Sequence, residues 1–135
     1  MILGLGNDLL DVRRITPLYE RHQQRFLDRV YTPLEQEYAF RQKDPIRRLA
    51  LRFAAKEACA KALGLGLRSG IKMIDMEIRA EENRKPYLTL HNLALQIMHE
   101  KTPNGFLSQL DLALSDEPPY VMATVIFSCI RNLPY

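Results

Sequence analysis

The chain has 135 residues, which suits one domain with a sizeable core and leaves no room for two ordinary ones. Hydrophobic residues make up 47% and charged residues 26%, a globular composition that argues against disorder. Net charge is only +3, yet residues 41–72 hold nine Lys or Arg against Asp44 and Glu57, a local excess that points to an anionic partner.

Cys59 and Cys129 lie in apolar runs without histidines at ligand spacing, so neither a zinc site nor a disulfide framework is indicated, and both read as reduced core thiols. The start "MILGLGNDLL" lacks the plan of a signal peptide, and no apolar run is long enough for a bilayer span. A cytoplasmic protein with no membrane partner is expected.

In chain order, "MILGLGNDLLDV" is apolar without helical period and predicts a buried strand interrupted by Asp8. Thr16 as N-cap and Pro17 at the first helical position predict a helix over "ITPLYERHQQRFLDRV". Its Arg21, Arg25 and Arg29, spaced by four, align along one edge with Arg13 and Arg14 just before it; a solvated face and a docking surface are both consistent with that. "TPLE" at 32–35 is a capping-box start for a second helix. "DPIRRL" at 44–49 opens a third, running from Pro45 to about Leu63 and stopping at Gly64, with "GLGLRSG" as a flexible loop. Alternation of Ile74, Met76 and Ile78 with polar residues, the "ENRKP" turn and "YLTL" predict a hairpin. "HNLALQIMHEK" has amphipathic helical spacing, and "LSQLDLALS", the turn "DEPP" and "YVMATVIFSCI" read as paired antiparallel strands. The sum is an α+β single domain, with helices concentrated in the first half and an antiparallel sheet.

Chemistry concentrates on the third helix. A helical wheel places Ile46, Leu49, Ala50, Phe53 and Ala60 in one arc, predicted to face the core, with Glu57 near its middle. Lys61 borders the arc, and Arg48, Arg52 and Lys56 form an adjacent basic stripe. A carboxylate on an apolar face costs several kcal/mol unless compensated. An i, i+4 pair with Lys61 contributes only a few tenths of a kcal/mol in an exposed helix. The alternative joins Glu57 to Asp8 as Mg²⁺ ligands, with water and substrate phosphates completing the shell and nearby cations complementing the phosphates. Gly64 and Gly66 allow close approach of a ligand, or simply end the helix. "GLGLRSG" lacks a P-loop ending, and "GLGNDL" has two of the three dinucleotide-fold glycines. His22, His91 and His99 form no catalytic pair with an acid, and Ser115 reads as the start of a turn.

Five stretches, "GLGNDLLDVRRI" at 4–15, "RFLDRVYTPLE" at 25–35, "LALRFAAKEACAKALGLGL" at 49–67, "NRKPYL" at 83–88 and "LALSDEPPYVMATVI" at 112–126, resemble the 4′-phosphopantetheinyl transferase family. The resemblance implies that family's fold and transfer of the 4′-phosphopantetheine arm of coenzyme A to a serine of apo acyl carrier protein, releasing adenosine 3′,5′-bisphosphate. It places the metal-binding pair on Asp8 and Glu57 and the catalytic lysine on Lys61. Arg52 matches a coenzyme A phosphate contact, with Gly64 and Ser115 expected to line the same ligand. It further implies homotrimers with sites between subunits and docking of the acidic carrier on Arg14, Arg21 and Arg25.

The residues suit this chemistry. Attack of a hydroxyl on a phosphate needs charge neutralisation and in-line positioning, which a metal and an ammonium supply. Lys61 then stabilises or protonates the leaving phosphate, and the general base stays open between a metal-bound water and Glu57 acting through water. A nucleic-acid module would use the basic residues but leave Asp8 and Glu57 without purpose, and no aromatic is interleaved among the arginines for base stacking. A structural subunit with an accidental charge pair predicts no metal dependence.

Overall fold

Local signals place most elements of the computed structural model, which describes residues 1–66, 70–81 and 83–134. The loop read over 64–70 thus lies in part outside the described residues. Strand β1 (Ile2–Asp11) leads through a 3-10 turn (Val12–Arg14) into α1 (Ile15–His22), α2 (Gln24–Val30), α3 (Pro33–Phe40) and the long α4 (Pro45–Ala62). A second 3-10 turn (Met73–Asp75), the hairpin β2 (Met76–Arg79) and β3 (Tyr87–Leu90), α5 (Asn92–Lys101), β4 (Phe106–Glu117) and β5 (Tyr120–Arg131) follow. The architecture is α+β: an antiparallel sheet in the order β1-β5-β4, a separate β2-β3 hairpin, and α4 through the centre.

Caps define the helix ends. Thr32 Oγ1 accepts from the Glu35 amide and Glu35 Oε1 from the Thr32 amide, the capping box that the spacing predicts. Asp44 caps α4 ahead of Pro45. At its other end the Leu65 amide donates to the Ala60 carbonyl across Gly64, whose φ of 73° a side chain would resist. The first helix departs from the sequence reading. Asp11, not Thr16, starts the helical segment by accepting from the Arg13 amide, and Gln23 at φ 45° breaks the helix in two. The break divides the arginine row and turns Phe26, Leu27 and Val30 of α2 into the core.

The inner face of the sheet carries Leu10, Leu112, Val121, Ala123, Val125, Phe127 and Cys129, all buried. β1 meets α4 without side chains between them: a Cβ on Gly4 would lie 1.8 Å from the Ala62 carbonyl oxygen, and one on Gly6 1.8 Å from that of Ala58. The glycines read as an incomplete dinucleotide motif are therefore packing residues. The expected burial of β1 holds on one face only. Leu5 and Leu9 on the other face are 64% exposed, and pairing aligns Leu9 with Met122 and Ser115, and Leu5 with Ile126 and Asp111. Ser115 is thus a strand residue paired with Met122, not the start of the turn.

Helix α4 is buried nearly all round, which corrects the wheel. Ile46, Phe53 and Glu57 on the supposed core arc are only half-buried, whereas Arg52 is 3% exposed and Lys56 0%. The small side chains of Ala54, Ala55, Ala58 and Cys59 let neighbouring elements close over the basic stripe. Lys56 Nζ donates to Glu35 Oε1 at 2.7 Å and to the carbonyls of Val30 at 2.6 Å and Met73 at 3.0 Å. Burial pushes its pKa down, and Glu35 opposes that shift. Burial also lifts the Cys59 thiol to about 12, as for an inert core cysteine.

Glu77, buried beside this network, accepts from Thr32 Oγ1 and Arg79 Nε, and His91 Nε2 lies 3.1 Å away. Burial raises its pKa, but these hydrogen bonds outweigh that effect and hold it below its ordinary 4.5. A depressed carboxyl stabilises the fold above its unfolded pKa, and that contribution disappears as pH falls through the folded value. The melting temperature should therefore drop below about pH 4.5, and Glu77→Gln should flatten part of that acid limb. Thermal denaturation between pH 2 and 7 is the measurement, and an unchanged acid limb would contradict the assignment.

Candidate active site

Two elements in direct contact build the site. Side chains alternate along β1, so Asp8 shares the inner face of Gly6 and Leu10 and points at α4, its side chain 18% exposed. Lys61, in the last turn of α4, crosses to it. Its Nζ donates to Asp8 Oδ1 at 3.1 Å and to the Asn7 carbonyl at 2.9 Å. The i, i+4 pairing of Lys61 with Glu57 is therefore not formed, and the ammonium at the helix C-terminus also suits the helix dipole.

Glu57 stands one turn earlier and makes no hydrogen bond or ion pair among the described residues. Its pKa is raised, first by burial and then by the negative charge of Asp8, with Lys61 opposing. This coupling identifies the two carboxylates as neighbours. Glu57 opens into a cleft of about 640 Å³, with Phe53 beside it, Asp28 and Arg29 on the α2 side, and residues 71–74 on the other. Among the described residues no group of three or more His, Cys, Asp or Glu forms a ready-made metal cage.

A basic surface continues from this cleft. Phe53 also borders a hollow with Arg14, Ile15 and Leu18, and Arg29 one with Leu18, His22 and Arg25. Arg21 is exposed on the last turn of α1. The three arginines expected at a docking surface thus lie on α1 and α2 and their approach, with Arg14 and Arg25 lining hollows that adjoin the Glu57 cleft.

Two of the remaining expected ligand residues, Arg52 and Ser115, do not converge with these within one chain, whereas the Gly64 amide donates to the Lys61 carbonyl. Arg52 is about 140° around the helix from Glu57. Its guanidinium lies 4.1 Å over the Tyr38 ring, its buried Nε has no hydrogen-bond partner among the described residues, and burial lowers its pKa. It lines a hollow of about 390 Å³ with Arg41, Arg79 and Tyr87. Ser115 lines another, of about 310 Å³, with Arg48, Lys85 and Pro86. Gly64 ends α4, where Lys101 Nζ donates to the Leu63 carbonyl. Sequence reasoning missed the Asn7 carbonyl as a support for Lys61 and the burial of Lys56. The first had no signal; for the second the surrounding alanines were a clue.

The model of the 4′-phosphopantetheinyl transferase superfamily matches residues 4–124. A curated holo-[acyl-carrier-protein] synthase of Rhodopseudomonas palustris (strain BisA53) is 44% identical over 132 residues, covering 95% of each chain. That of Phenylobacterium zucineum (strain HLK1) is 41% identical over 99% of this chain and 97% of its own. Among solved structures, holo-[acyl-carrier-protein] synthase from Neisseria meningitidis superposes with a TM-score of 0.80 at 35% identity, covering 95% of this chain and 99% of that one. The Helicobacter pylori synthase, in complex with coenzyme A, gives 0.76 at 29% identity over 92% and 99%. With the motif-bearing strand and helix inside the matched span and the fold shared from end to end, the chain belongs to the 4′-phosphopantetheinyl transferase superfamily.

Proposed function

We infer that this chain is a holo-[acyl-carrier-protein] synthase: it transfers 4′-phosphopantetheine from coenzyme A to a serine hydroxyl of an apo acyl carrier protein and releases adenosine 3′,5′-bisphosphate. The observation that carries this reading is the Asp8–Lys61 contact one helical turn from Glu57, which is under the charge of Asp8 and opens into a cleft beside basic helices. The names of its relatives and the coenzyme A bound to the H. pylori neighbour support it.

In the reaction the serine oxygen bonds to the β-phosphorus, and the bond from that phosphorus to the oxygen of the adenosine bisphosphate breaks. Lys61, held by the Asn7 carbonyl and Asp8, stabilises or protonates the departing phosphate. Glu57, whose pKa is raised by burial and by Asp8, receives the serine proton through water. The donor set fits Mg²⁺. Two neighbouring carboxylates form a like-charge pair that a divalent cation relieves, and Mg²⁺ takes one or two carboxylates with water and phosphate oxygens completing its shell. Asp8 and Glu57 would hold the ion, which when bound neutralises charge on the phosphates.

Arg14, Arg21 and Arg25 receive the acidic carrier. Reversing any one to Glu should raise KM for the carrier about tenfold or more while KM for coenzyme A stays near wild type. Steady-state kinetics with each substrate varied is the check, and an unchanged carrier KM would remove the assignment.

Arg52, Gly64 and Ser115 contact coenzyme A, and the separation of Arg52 and Ser115 from the carboxylates within one chain fits a site completed by a second copy. The apolar outer sheet face is the surface for a homotrimer. Leu5→Asp or Leu9→Asp should convert the trimer to monomer in light scattering and abolish transfer; a folded, active monomer would contradict this. The cytoplasm is the compartment of such a reaction, and among the described residues no helix is long and apolar enough to cross a membrane. The deciding experiment is mass spectrometry of an apo carrier incubated with this protein, coenzyme A and Mg²⁺. One phosphopantetheine-sized addition on a serine supports the reading, and an unmodified carrier overturns it.

A further inference from the structure

Lys56 precedes Glu57 in the chain, projects about 100° around α4 from it, and is the most deeply buried cation described, at 0% exposure. Its three bonds are not equivalent. The one to Glu35 balances its charge, whereas the other two reach main-chain carbonyls on the two sides of the Glu57 cleft. Val30 ends α2, whose Asp28 and Arg29 form one side, and Met73 belongs to the segment 71–74 that forms the other. Glu35 is fastened separately, accepting from the amides of Thr32 at 2.9 Å and Ile78 at 3.1 Å.

We propose that Lys56 is a positioning residue for the transfer reaction: by tying the Val30 and Met73 carbonyls to α4 it sets the width of the cleft beside Glu57 and fixes the rotation of that carboxylate into it. The ammonium has three donors and every one is used. A hydrophobic residue of similar length would fill the space but make neither bond, leaving the buried Val30 carbonyl without that donor and the Met73 carbonyl held by the Met76 amide alone, so the sides would part. Methionine at 56 keeps the packing but loses the tether. The inference rests on the assignment of this cleft to the transfer reaction.

Three variants separate positioning from stability. Lys56→Met leaves Glu35 buried and unpaired and should be strongly destabilised. Adding Glu35→Gln removes that charge and keeps a side-chain acceptor for one of the two amides, so the double variant should regain part of the lost melting temperature. Glu35→Gln alone leaves Lys56 free to donate to both carbonyls. The expected result is a kcat reduced up to about 100-fold in the double variant, with KM for coenzyme A changed far less, and near-normal kcat in Glu35→Gln. Hydrogen exchange at residues 71–76, measured without coenzyme A or metal, should accelerate in the double variant and not in Glu35→Gln.

Recovery of kcat along with stability in the double variant overturns the proposal. So does a folded Glu35→Gln that loses kcat as far, which is also decisive if the double variant fails to fold. If wild-type protein transfers nothing, the functional reading fails instead, and unchanged exchange at 71–76 still refutes the tether.

Discussion

Glu57→Gln and Asp8→Asn each lower turnover by about 100-fold or more at saturating coenzyme A and carrier, a loss typical of removing one group that stabilises transition-state charge. Both substitutions keep size and hydrogen-bonding capacity, so the fold should be retained. Asp8→Asn weakens the anchor of Lys61 at 3.1 Å and removes the charge that raises the Glu57 pKa. Glu57→Gln touches no hydrogen bond among the described residues and should leave thermal stability intact or improved near neutral pH. The sign follows from its raised pKa: such a carboxyl contributes stability below its unfolded pKa, and that contribution is lost as pH rises through the folded value. At neutral pH the ionised Glu57 therefore opposes folding in the metal-free protein. A titration of activity against Mg²⁺ separates ligand loss from proton transfer. Near-normal turnover of either variant at low Mg²⁺ would sink the metal assignment.

Gly6→Ala should be, with Gly4→Ala, the most damaging alanine substitution among the chain's glycines. The new Cβ would lie 1.8 Å from the Ala58 carbonyl oxygen and 2.7 Å from the Ala62 nitrogen, all main chain, so no rotamer change can relieve the clash. Strand and helix would have to separate, carrying Asp8 away from Lys61 and Glu57. A loss of about 3 kcal/mol or more is expected, against a total stability of roughly 5–15 kcal/mol for a domain. Gly4→Ala should behave alike through the Ala62 carbonyl, whereas Gly105→Ala meets no neighbour and bears only the strain of its φ of 84°. Chemical denaturation of the three variants is the comparison. A Gly6→Ala protein as stable as Gly105→Ala would contradict the close packing of β1 on α4.

Much of the fold was legible because its signals are local. The Thr32–Glu35 capping box, the Asp44-Pro45 start, Gly64 at the end of α4 and the strand pair around the 118–119 turn all depend on residues within a few positions of one another. The break at Gln23 was not legible, since no glycine or proline marks it and the burial of Phe26, Leu27 and Val30 accompanies it. The wheel of α4 failed for a related reason. It assumes one buried face, and this helix is enclosed on most sides by the sheet, α3 and the 71–78 segment, so a lysine with three acceptors is its most buried cation. Glu57 was read as a carboxylate on the core face in need of a partner, but it lies half-buried on the open side of the helix, lining a cleft.

Asp8, Glu57 and Lys61 were candidates from residue type and motif, because the chemistry proposed for the site limits which side chains could serve. By itself the sequence determined most of the element order, the caps of α3 and α4 and the identity of the charged residues, since each is set by covalent neighbours and by the chemistry of single side chains. Only the tertiary structure decided which charges are solvated, which are enclosed and which meet. Those outcomes depend on contacts between distant segments: Lys61 turns to Asp8, 53 positions away, rather than to Glu57, and Lys56 is drawn inward by carbonyls 26 and 17 positions away. Burial makes an unpaired charge costly, so the packing of the whole chain selects those partners.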